Sequence, residues 1–381
     1  MRIAVYGATG FLGRLVADHL HRRGVEVTLA GRRLEALQRV AASHASVRVA
    51  VAPLEDAPAL ATALEGCAAI INCAPASACG DRLLYAALDA HAHYVDAAGE
   101  QHHIQRLFEA FGDEAGRRGI GIVPACGFDY AIGDCVARLA ARDHEPAARI
   151  VIAYCIEGSD VSGNSAQNAA NAPAAQEVVY RSGRWMPVPL ELDRDAFDFP
   201  APFGRRQMSR YGSGEVITVP RHTRTREVRT LITTTSLCPH PALLPVFPIL
   251  RPAIGLARRT PGARGLLRLA ASLAARRGSS APVETAETPA TPAPVAPSDA
   301  GRRFVVAAEA KGLDGSTGRA TAIGGDFHTI TAVLLAHSAV VLGSGHAPGV
   351  FSPATAFQPE ALLDALAPFG VTWTVDRQPR P

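Results

Sequence analysis

Lysine is all but missing from this chain of 381 residues. Lys311 is the only one, and arginine carries the rest of the positive charge. A mechanism that needs a lysine must use Lys311. The residue four positions before it is Ala307, so a Tyr-x-x-x-Lys proton-donating pair is excluded. Cysteine occurs seven times, an odd number with no C-x-x-C pair, which reads as reduced thiols packed as small apolar residues. The histidine pairs His91/His93 and His102/His103 have no cysteine or acid completing a ligand spacing, so no metal is expected. Aromatics are sparse, at 6%, and are not interleaved with a basic cluster; with a net charge of only +3, nucleic acid is a poor partner. Long apolar runs are lacking too. The most apolar late stretch, 242–257, is broken by Pro245, Pro248, Arg251 and Pro252, and the N-terminus passes straight into a strand with no leader-like segment. The expectation is a cytoplasmic protein.

What the chain does have is an opening of strand, glycine turn and helix. Residues 2–6 are β-branched or apolar, and Gly7, Gly10 and Gly13 follow at a spacing of three. An apolar-periodic segment (Phe11, Leu12, Leu15, Val16, Leu20) comes next. That geometry points bare backbone N–H groups at a diphosphate. Gly7 makes the tight turn, Gly10 lets backbone approach the phosphates, and Gly13 lets helix and strand pack closely. The expected contacts come from Gly7, Thr9, Gly10, Phe11, Leu12 and Gly13. The second strand (25–30) ends Thr28-Leu-Ala-Gly31-Arg32-Arg33, without the acid that would hold a ribose hydroxyl about 20 residues past the glycines. Arg32 or Arg33 can neutralise a 2′-phosphate, which favours NADP (NADPH) over NAD; the other reading is a pair of solvent-facing helix-start arginines.

Length suits two domains. Candidate strands at 2–6, 25–30, 46–51, 68–73, 93–97 and 120–124 alternate with helical periodicity, clearest at Ile104, Leu107, Phe108, Phe111 and Ala115. The fold class is α/β, with an N-terminal doubly wound parallel sheet of the Rossmann type. Near residue 147 the pattern changes. Strand-like runs at 149–156, 215–219, 226–236, 303–310 and 318–324 suggest an α+β substrate and dimerisation domain with a mostly antiparallel sheet, and a homodimer is expected. Helices are expected at 327–343 and 358–368, and a last strand at 371–375. Residues 263–277 form a basic amphipathic pattern. Such a helix can cover its own core, dock an acidic partner or touch a membrane surface, and the first is the commonest use. Residues 278–302, rich in Pro, Ala, Thr and Ser, read as a flexible loop.

The ends of strands four to six carry a further series: Asn72-Cys73-Ala74-Pro75, Tyr94-Val-Asp96-Ala-Ala-Gly99-Glu100, and Cys126-Gly-Phe-Asp129-Tyr130-Ala-Ile-Gly-Asp134. Near the end comes Gly349-Val-Phe-Ser-Pro-Ala-Thr-Ala-Phe357. As an ordered set these motifs resemble the saccharopine dehydrogenase-like oxidoreductases, whose G-A-T-G branch includes the trans-acting enoyl reductases. The resemblance implies a dinucleotide domain (1–135) closed by a C-terminal segment (346–381), with a substrate domain (136–345) inserted between. It places Asn72, Cys73 and Ala74 beside the nicotinamide, and Asn164, Ser165 and Asn168 beside the substrate. Two stretches depart from the family pattern, Asn-Cys-Ala-Pro-Ala-Ser after strand four and Ser162-Gly-Asn-Ser165-Ala-Gln167-Asn168. From position alone, Cys126, Asp129 and Tyr130 are the catalytic candidates, with Asp129 also able to cap the next helix and Tyr130 able either to donate a proton or to pack. Asp96 and Glu100 can equally answer a helix dipole. The function expected is NADPH-dependent hydride transfer to an activated double bond of a small-molecule or carrier-bound substrate. The acceptor is C=C by resemblance, or C=N in the imine-reducing branch; the third reading is a non-catalytic NADP-binding sensor or scaffold.

Overall fold

The structure, a computed structural model, describes residues 1–44, 46–158, 177–188, 195–237 and 303–377. Asn164, Ser165 and Asn168, the amphipathic stretch 263–277 and the loop 278–302 lie outside these residues. The first unit runs β1 (Arg2–Tyr6), α1 (Phe11–Arg22), β2 (Glu26–Gly31), α2 (Leu34–Ala41), β3 (Arg48–Val51), α3 (Ala57–Leu64), β4 (Ala69–Asn72), α4 (Ala76–Cys79), α5 (Arg82–Asp89), β5 (His93–Asp96), α6 (Gln101–Ala110), α7 (Gly112–Arg118), β6 (Gly121–Val123) and α8 (Phe128–Ala141). Then come β7 (Ala147–Glu157), β8 (Val178–Arg181), β9 (Arg184–Pro187), β10 (Asp195–Asp198), β11 (Arg205–Arg210), α9 (Glu215–His222), β12 (Glu227–Thr233) and α10 (Thr234–Leu237). The last described part holds β13 (Arg303–Gly312), β14 (Thr317–Gly324), α11 (Phe327–Gly343), β15 (Gly349–Val350), α12 (Pro353–Ala356), α13 (Pro359–Asp364) and β16 (Thr372–Arg377).

Two sheets organise these elements. The first has the order β15-β6-β5-β4-β1-β2-β3, and all its pairs are parallel. Its central strands are apolar on both faces, so helices must cover both sides, and the order reverses between β1 and β4, where doubly wound sheets open a ligand crevice. The second has the order β10-β11-β12-β7-β13-β14-β16, with β8 and β9 attached through β12. It is antiparallel except for the β12–β7 pair. Two elements fall in the other unit from the one their sequence positions suggest. Helix α11 packs on α1, β4 and β5 of the first sheet, while β16, near the C-terminus, pairs with β14 of the second.

The stretch 215–219 is not the strand its β-branched run (Val216, Ile217, Thr218, Val219) suggests; it is the first part of helix α9. Every one of Glu215 to Val219 is buried there, so packing on all sides overrides the local β preference. The single helix read across 104–115 is two, α6 and α7, joined at Phe111. Strands β8 to β11, of four to six residues and mostly interrupted by charged side chains, are missed by a search for apolar runs.

Helix α8 lies between the two units. Eleven of its fourteen residues are buried, a distribution that identifies a helix covered from both sides. Asp134, at its middle, ties three distant segments together. Its Oδ1 accepts hydrogen bonds from His222 Nε2 (2.9 Å) and Thr218 Oγ1 (2.6 Å) of α9, and its Oδ2 accepts from the amide of Ala354 (2.9 Å) in α12. Burial alone would raise this carboxyl, but the charge and hydrogen bond of His222, with the hydroxyls of Thr218 and Ser352, outweigh it and hold Asp134 below the usual carboxylate range. Among the described residues no helix is long and apolar enough to cross a membrane. Asp134→Ala leaves the buried imidazole of His222 and two donors without their acceptor, and is expected to cost about 3–5 kcal/mol in urea unfolding. A loss below about 1 kcal/mol would mean that the pair behaves as a surface contact.

Candidate functional site

The turn after β1 is shaped by backbone, not side chains. Gly7 has φ +78°, a conformation that favours glycine, and its amide bonds the carbonyl of Ala30 at the end of β2 (3.0 Å). A Cβ on Gly13 would lie 2.3 Å from the Gly7 carbonyl oxygen, so α1 can start this close to β1 only without one. Gly10 is the N-cap of α1 and contributes no side-chain hydrogen bond. The first-turn amides of Phe11, Leu12 and Gly13 have no partner inside a helix, so this end of α1 is open to an anion. Thr9 is half-buried in the turn; Phe11 is more than half exposed, with His328 at its ring edge (5.0 Å). Arg32 and Arg33 are exposed beyond β2, and neither forms an ion pair among the described residues.

At the switch point the β4 loop touches this turn: a Cβ on Gly7 would meet the Ala74 nitrogen at 3.1 Å and the Cys73 carbonyl carbon at 3.2 Å. Cys73 and Ala74 therefore lie against the glycine turn, and their amides are committed, to Tyr6 O and Asn72 Oδ1. Asn72, expected beside the nicotinamide, lies beneath this loop. It is buried, its Nδ2 donates to Tyr94 Oη (3.1 Å), and its Oδ1 accepts from Ala74 N (3.0 Å), so it shapes the loop from beneath. Asp96 is likewise a buried hub. It accepts from Ala98 N (3.0 Å), Ala125 N (3.2 Å) and His103 Nε2 (2.8 Å). Burial opposes charge on His103, yet Asp96, with Glu100 and Asp81, holds its pKa above the ordinary imidazole value. Ala125 is held at φ +60°, a strained conformation for a side-chain-bearing residue that costs about 1–3 kcal/mol and marks this loop as constrained.

Of the three catalytic candidates after β6, the structure brings two together. Cys126 is fully buried, burial pushes its thiol up, and its sulfur faces Val123 O, so it packs and is out of reach. Asp129 does not cap α8; Gly127 is the N-cap, and Asp129 sits inside the first turn. There its Oδ2 accepts from Tyr211 Oη (3.2 Å), and Tyr211 Oη is hydrogen-bonded to Tyr130 Oη (3.2 Å). Tyr130 lies so close to Gly99 that a Cβ there would be 1.9 Å from its hydroxyl. Behind these half-buried groups, Tyr154 of β7 donates to Glu215 Oε1 at the start of α9, and both residues are fully buried. Burial raises the carboxyl of Asp129 to about 6 and that of Glu215 to about 8, and pushes all three phenols well above their usual value. Tyr154, Tyr211, Glu215 and His103 were not singled out as reacting groups in the sequence. Tyr211 and Glu215 offered only the signal of a polar pair bracketing Gly212 and Gly214. The cluster can donate hydrogen bonds and protons to a group bound at the ends of β5 and β6.

Residues 3–120 match the family model described as the saccharopine dehydrogenase NADP binding domain. A Mycobacterium tuberculosis protein provisionally named a trans-acting enoyl reductase is 29% identical over 228 residues, 54% of this chain and 54% of its own length. The chain thus spans about half the length of that relative. A second M. tuberculosis protein, named trans-acting enoyl reductase, is 33% identical over 147 residues, 35% of this chain and 33% of its own. Among solved structures, apo saccharopine dehydrogenase (L-Glu forming) from Saccharomyces cerevisiae superposes with a TM-score of 0.65 over 98% of this chain and 99% of that one, at 12% identity. The likeness to these proteins therefore rests on sequence over at most 54% of this chain and on fold over nearly all of it.

The glycines of the turn should separate by experiment. Gly10→Ala meets only the Gly7 carbonyl oxygen, at 3.2 Å, and should leave the melting temperature nearly unchanged while weakening dinucleotide binding in calorimetry. Gly13→Ala must push the turn off α1 and should cost about 1–3 kcal/mol of stability as well.

Proposed function

We propose that this saccharopine dehydrogenase-like chain is an NADPH-dependent reductase acting on an activated C=C bond, in an enoyl-type or carrier-bound intermediate. One observation carries the reading: the open N-terminus of α1 and the phenol–carboxylate cluster both lie at the carboxyl ends of the first sheet's strands. A dinucleotide on the first would put its reactive ring toward the second. The turn fits a diphosphate because Gly10 and Gly13 leave backbone bare and α1 is uncapped, and Arg32 or Arg33 would take a 2′-phosphate. Bound there, the reduced nicotinamide supplies a hydride. The chain's own part is the proton. Tyr130 Oη donates it to the carbon that develops negative charge; Tyr211, whose hydroxyl donates to Asp129 at rest, passes its own proton to the phenolate, and half-buried Asp129, protonated from solvent, restores it to Tyr211. The names of the M. tuberculosis relatives support the C=C acceptor.

The C=N reading is favoured by Arg221. An amino-acid-like substrate needs a cation for its carboxylate, and four arginines lie close together in sequence: Arg229 pairs with Asp195 (2.7 Å), Arg224 lies beside Glu145 (3.6 Å) and Arg226 is exposed. Arg221 is instead stacked between Phe108 (4.5 Å) and Trp185 (4.8 Å), with Nε buried and unpartnered among the described residues. Burial lowers its pKa, so an anion there would be welcome. NADPH oxidation with a crotonyl thioester, set against a keto acid with an amine, decides between the two readings. Turnover of the imine mixture alone, abolished by Arg221→Met, would displace the enoyl reading.

Two substitutions test the roles. Tyr130→Phe should lower turnover by about a hundredfold and leave the NADPH dissociation constant unchanged. Arg32→Ala with Arg33→Ala should weaken NADPH by about 1.5–3 kcal/mol, roughly ten- to hundredfold, with little effect on NADH; equal losses would refute the 2′-phosphate assignment.

A further inference from the structure

We propose that Glu215 serves this site as an uncharged acid: paired with Tyr154 behind the accessible phenols, it leaves Asp129 as the single negative charge facing Tyr130 and Tyr211. The role is that of a positioning residue, and its effect on turnover rests on the reductase reading above. The geometry is as follows. Glu215 Oε1 accepts from Tyr154, and the buried Ser213 hydroxyl beside it is the other side chain whose hydrogen bonding acts on the carboxyl, although neither Ser213 Oγ nor Glu215 Oε2 has a well-aligned partner among the described residues. An ionised carboxylate there would have four lone-pair sites and only the Tyr154 and Ser213 hydroxyls to fill them, whereas a carboxylic acid can turn an Oε2 proton toward the Ser213 oxygen. Room for the pair is made by α8, where a Cβ on Gly133 would lie 2.0 Å from Tyr154 Oη and 2.1 Å from Glu215 Oε1.

Among the described residues no cation forms an ion pair with Glu215. The titratable groups that act on Glu215 are Asp129 and Tyr130 of α8, Tyr154 of β7 and Tyr211 after β11, all acidic. Basic groups on the elements packed around it are engaged elsewhere: Arg221 between its two rings, His222 on Asp134, His103 on Asp96, Arg229 on Asp195, and Arg181 beside Glu227 (3.6 Å). Two carboxyls and three phenols therefore share one buried region, and their acidities are split, Asp129 raised to about 6 and Glu215 to about 8. Such a split separates the ionised partner from the protonated one. Ionising Glu215 would set a second charge beside the phenols and make Tyr130 and Tyr211 hold their protons more tightly.

The test uses the full chain and Glu215→Gln, a neutral isostere that still accepts from Tyr154. The sign follows from linkage: a folded-state value of about 8 against an unfolded one near 4.5 means stability present below the unfolded value and lost as pH rises through the folded one. The melting temperature of the natural protein should therefore fall, relative to Glu215→Gln, between about pH 5 and pH 9. Parallel curves overturn the proposal. Should the variant fail to fold, infrared spectra of the natural protein in heavy water should show a buried protonated-carboxyl band at about pH 7 that is lost by about pH 9.5; its absence at the lower pH also overturns it. With NADPH and a crotonyl thioester, turnover of the natural protein should drop about tenfold per pH unit above about 8, and that limb should vanish in Glu215→Gln. A limb common to both proteins sinks the positioning role. No thioester turnover in either, with diverging melting curves, leaves the neutral acid standing and sinks the reductase reading instead.

Discussion

The burial of α8 from both sides is the constraint on which the rest of the structure depends. A helix between two sheets must be narrow, and α8 meets this with Ala131, Gly133, Cys135, Ala137, Ala140 and Ala141 among its buried residues. Narrowness brings β13 and β14 against it and lets Tyr154 of β7 reach across at Gly133. Because α8 begins right after the β6 loop, the same packing fixes Asp129 and Tyr130 at the ends of β5 and β6. Asp134, one turn further along, then locks α9 and α12 to the helix, so Glu215 at the head of α9 arrives beside Tyr154. The polar cluster is a consequence of how the apolar helix is held.

Three helices bring their N-termini to one place, as a chain of ring contacts shows: Phe11 of α1 against His328, Phe327 of α11 against Phe128 of α8, and Phe128 against Phe304 of β13. Each N-terminus carries partial positive charge, but they are not equivalent. In α11 the Asp326 carboxylate accepts from His328 N (3.0 Å) and from Thr329, and in α8 the amide of Phe128 is taken by Thr331 Oγ1 (3.2 Å). Of the three, α1 alone has neither a capping side chain nor a side-chain acceptor on its first turn. The end left open is the one with glycines around it, which is why the sequence motif reads as a phosphate site.

How much of this was legible in the sequence depends on whether the signal was local. The glycine turn, the parallel alternation, the left-handed glycine caps at Gly24 and Gly119, and the helix at 327–343 are set by nearest neighbours and were readable. Asn72 and Cys126 lie at strand ends, as their motifs suggest, and both side chains are buried. Whether a side chain points to the crevice or beneath it is decided by partners such as Tyr94 and Val123, which lie across the sheet or behind the loop. Residues 215–219 failed for a related reason, since burial on every side removes the periodicity that distinguishes helix from strand. Tyr211 and Glu215 come from the second unit and meet Asp129 and Tyr130 only because α8 is shared. No spacing in one dimension encodes that meeting.

The two ends of the crevice divide the charge between them. At the turn are bare amides, the open end of α1 and two arginines that form no ion pair among the described residues; at the phenols, the groups acting on the cluster are acids, while His103, His222 and Arg229 are held by other carboxylates. In the reductase proposed above, this asymmetry has a chemical use. A phenol surrounded by burial and one carboxylate keeps its proton against solvent, since losing it would create a second buried negative charge. It yields that proton only to a group that has itself become more strongly basic, such as a carbon or nitrogen gaining negative charge as hydride arrives. The same arrangement thus suppresses idle ionisation and couples proton release to the reaction. Keeping Glu215 neutral is the condition for it, because a second fixed charge would hold the phenolic protons even when an acceptor is present.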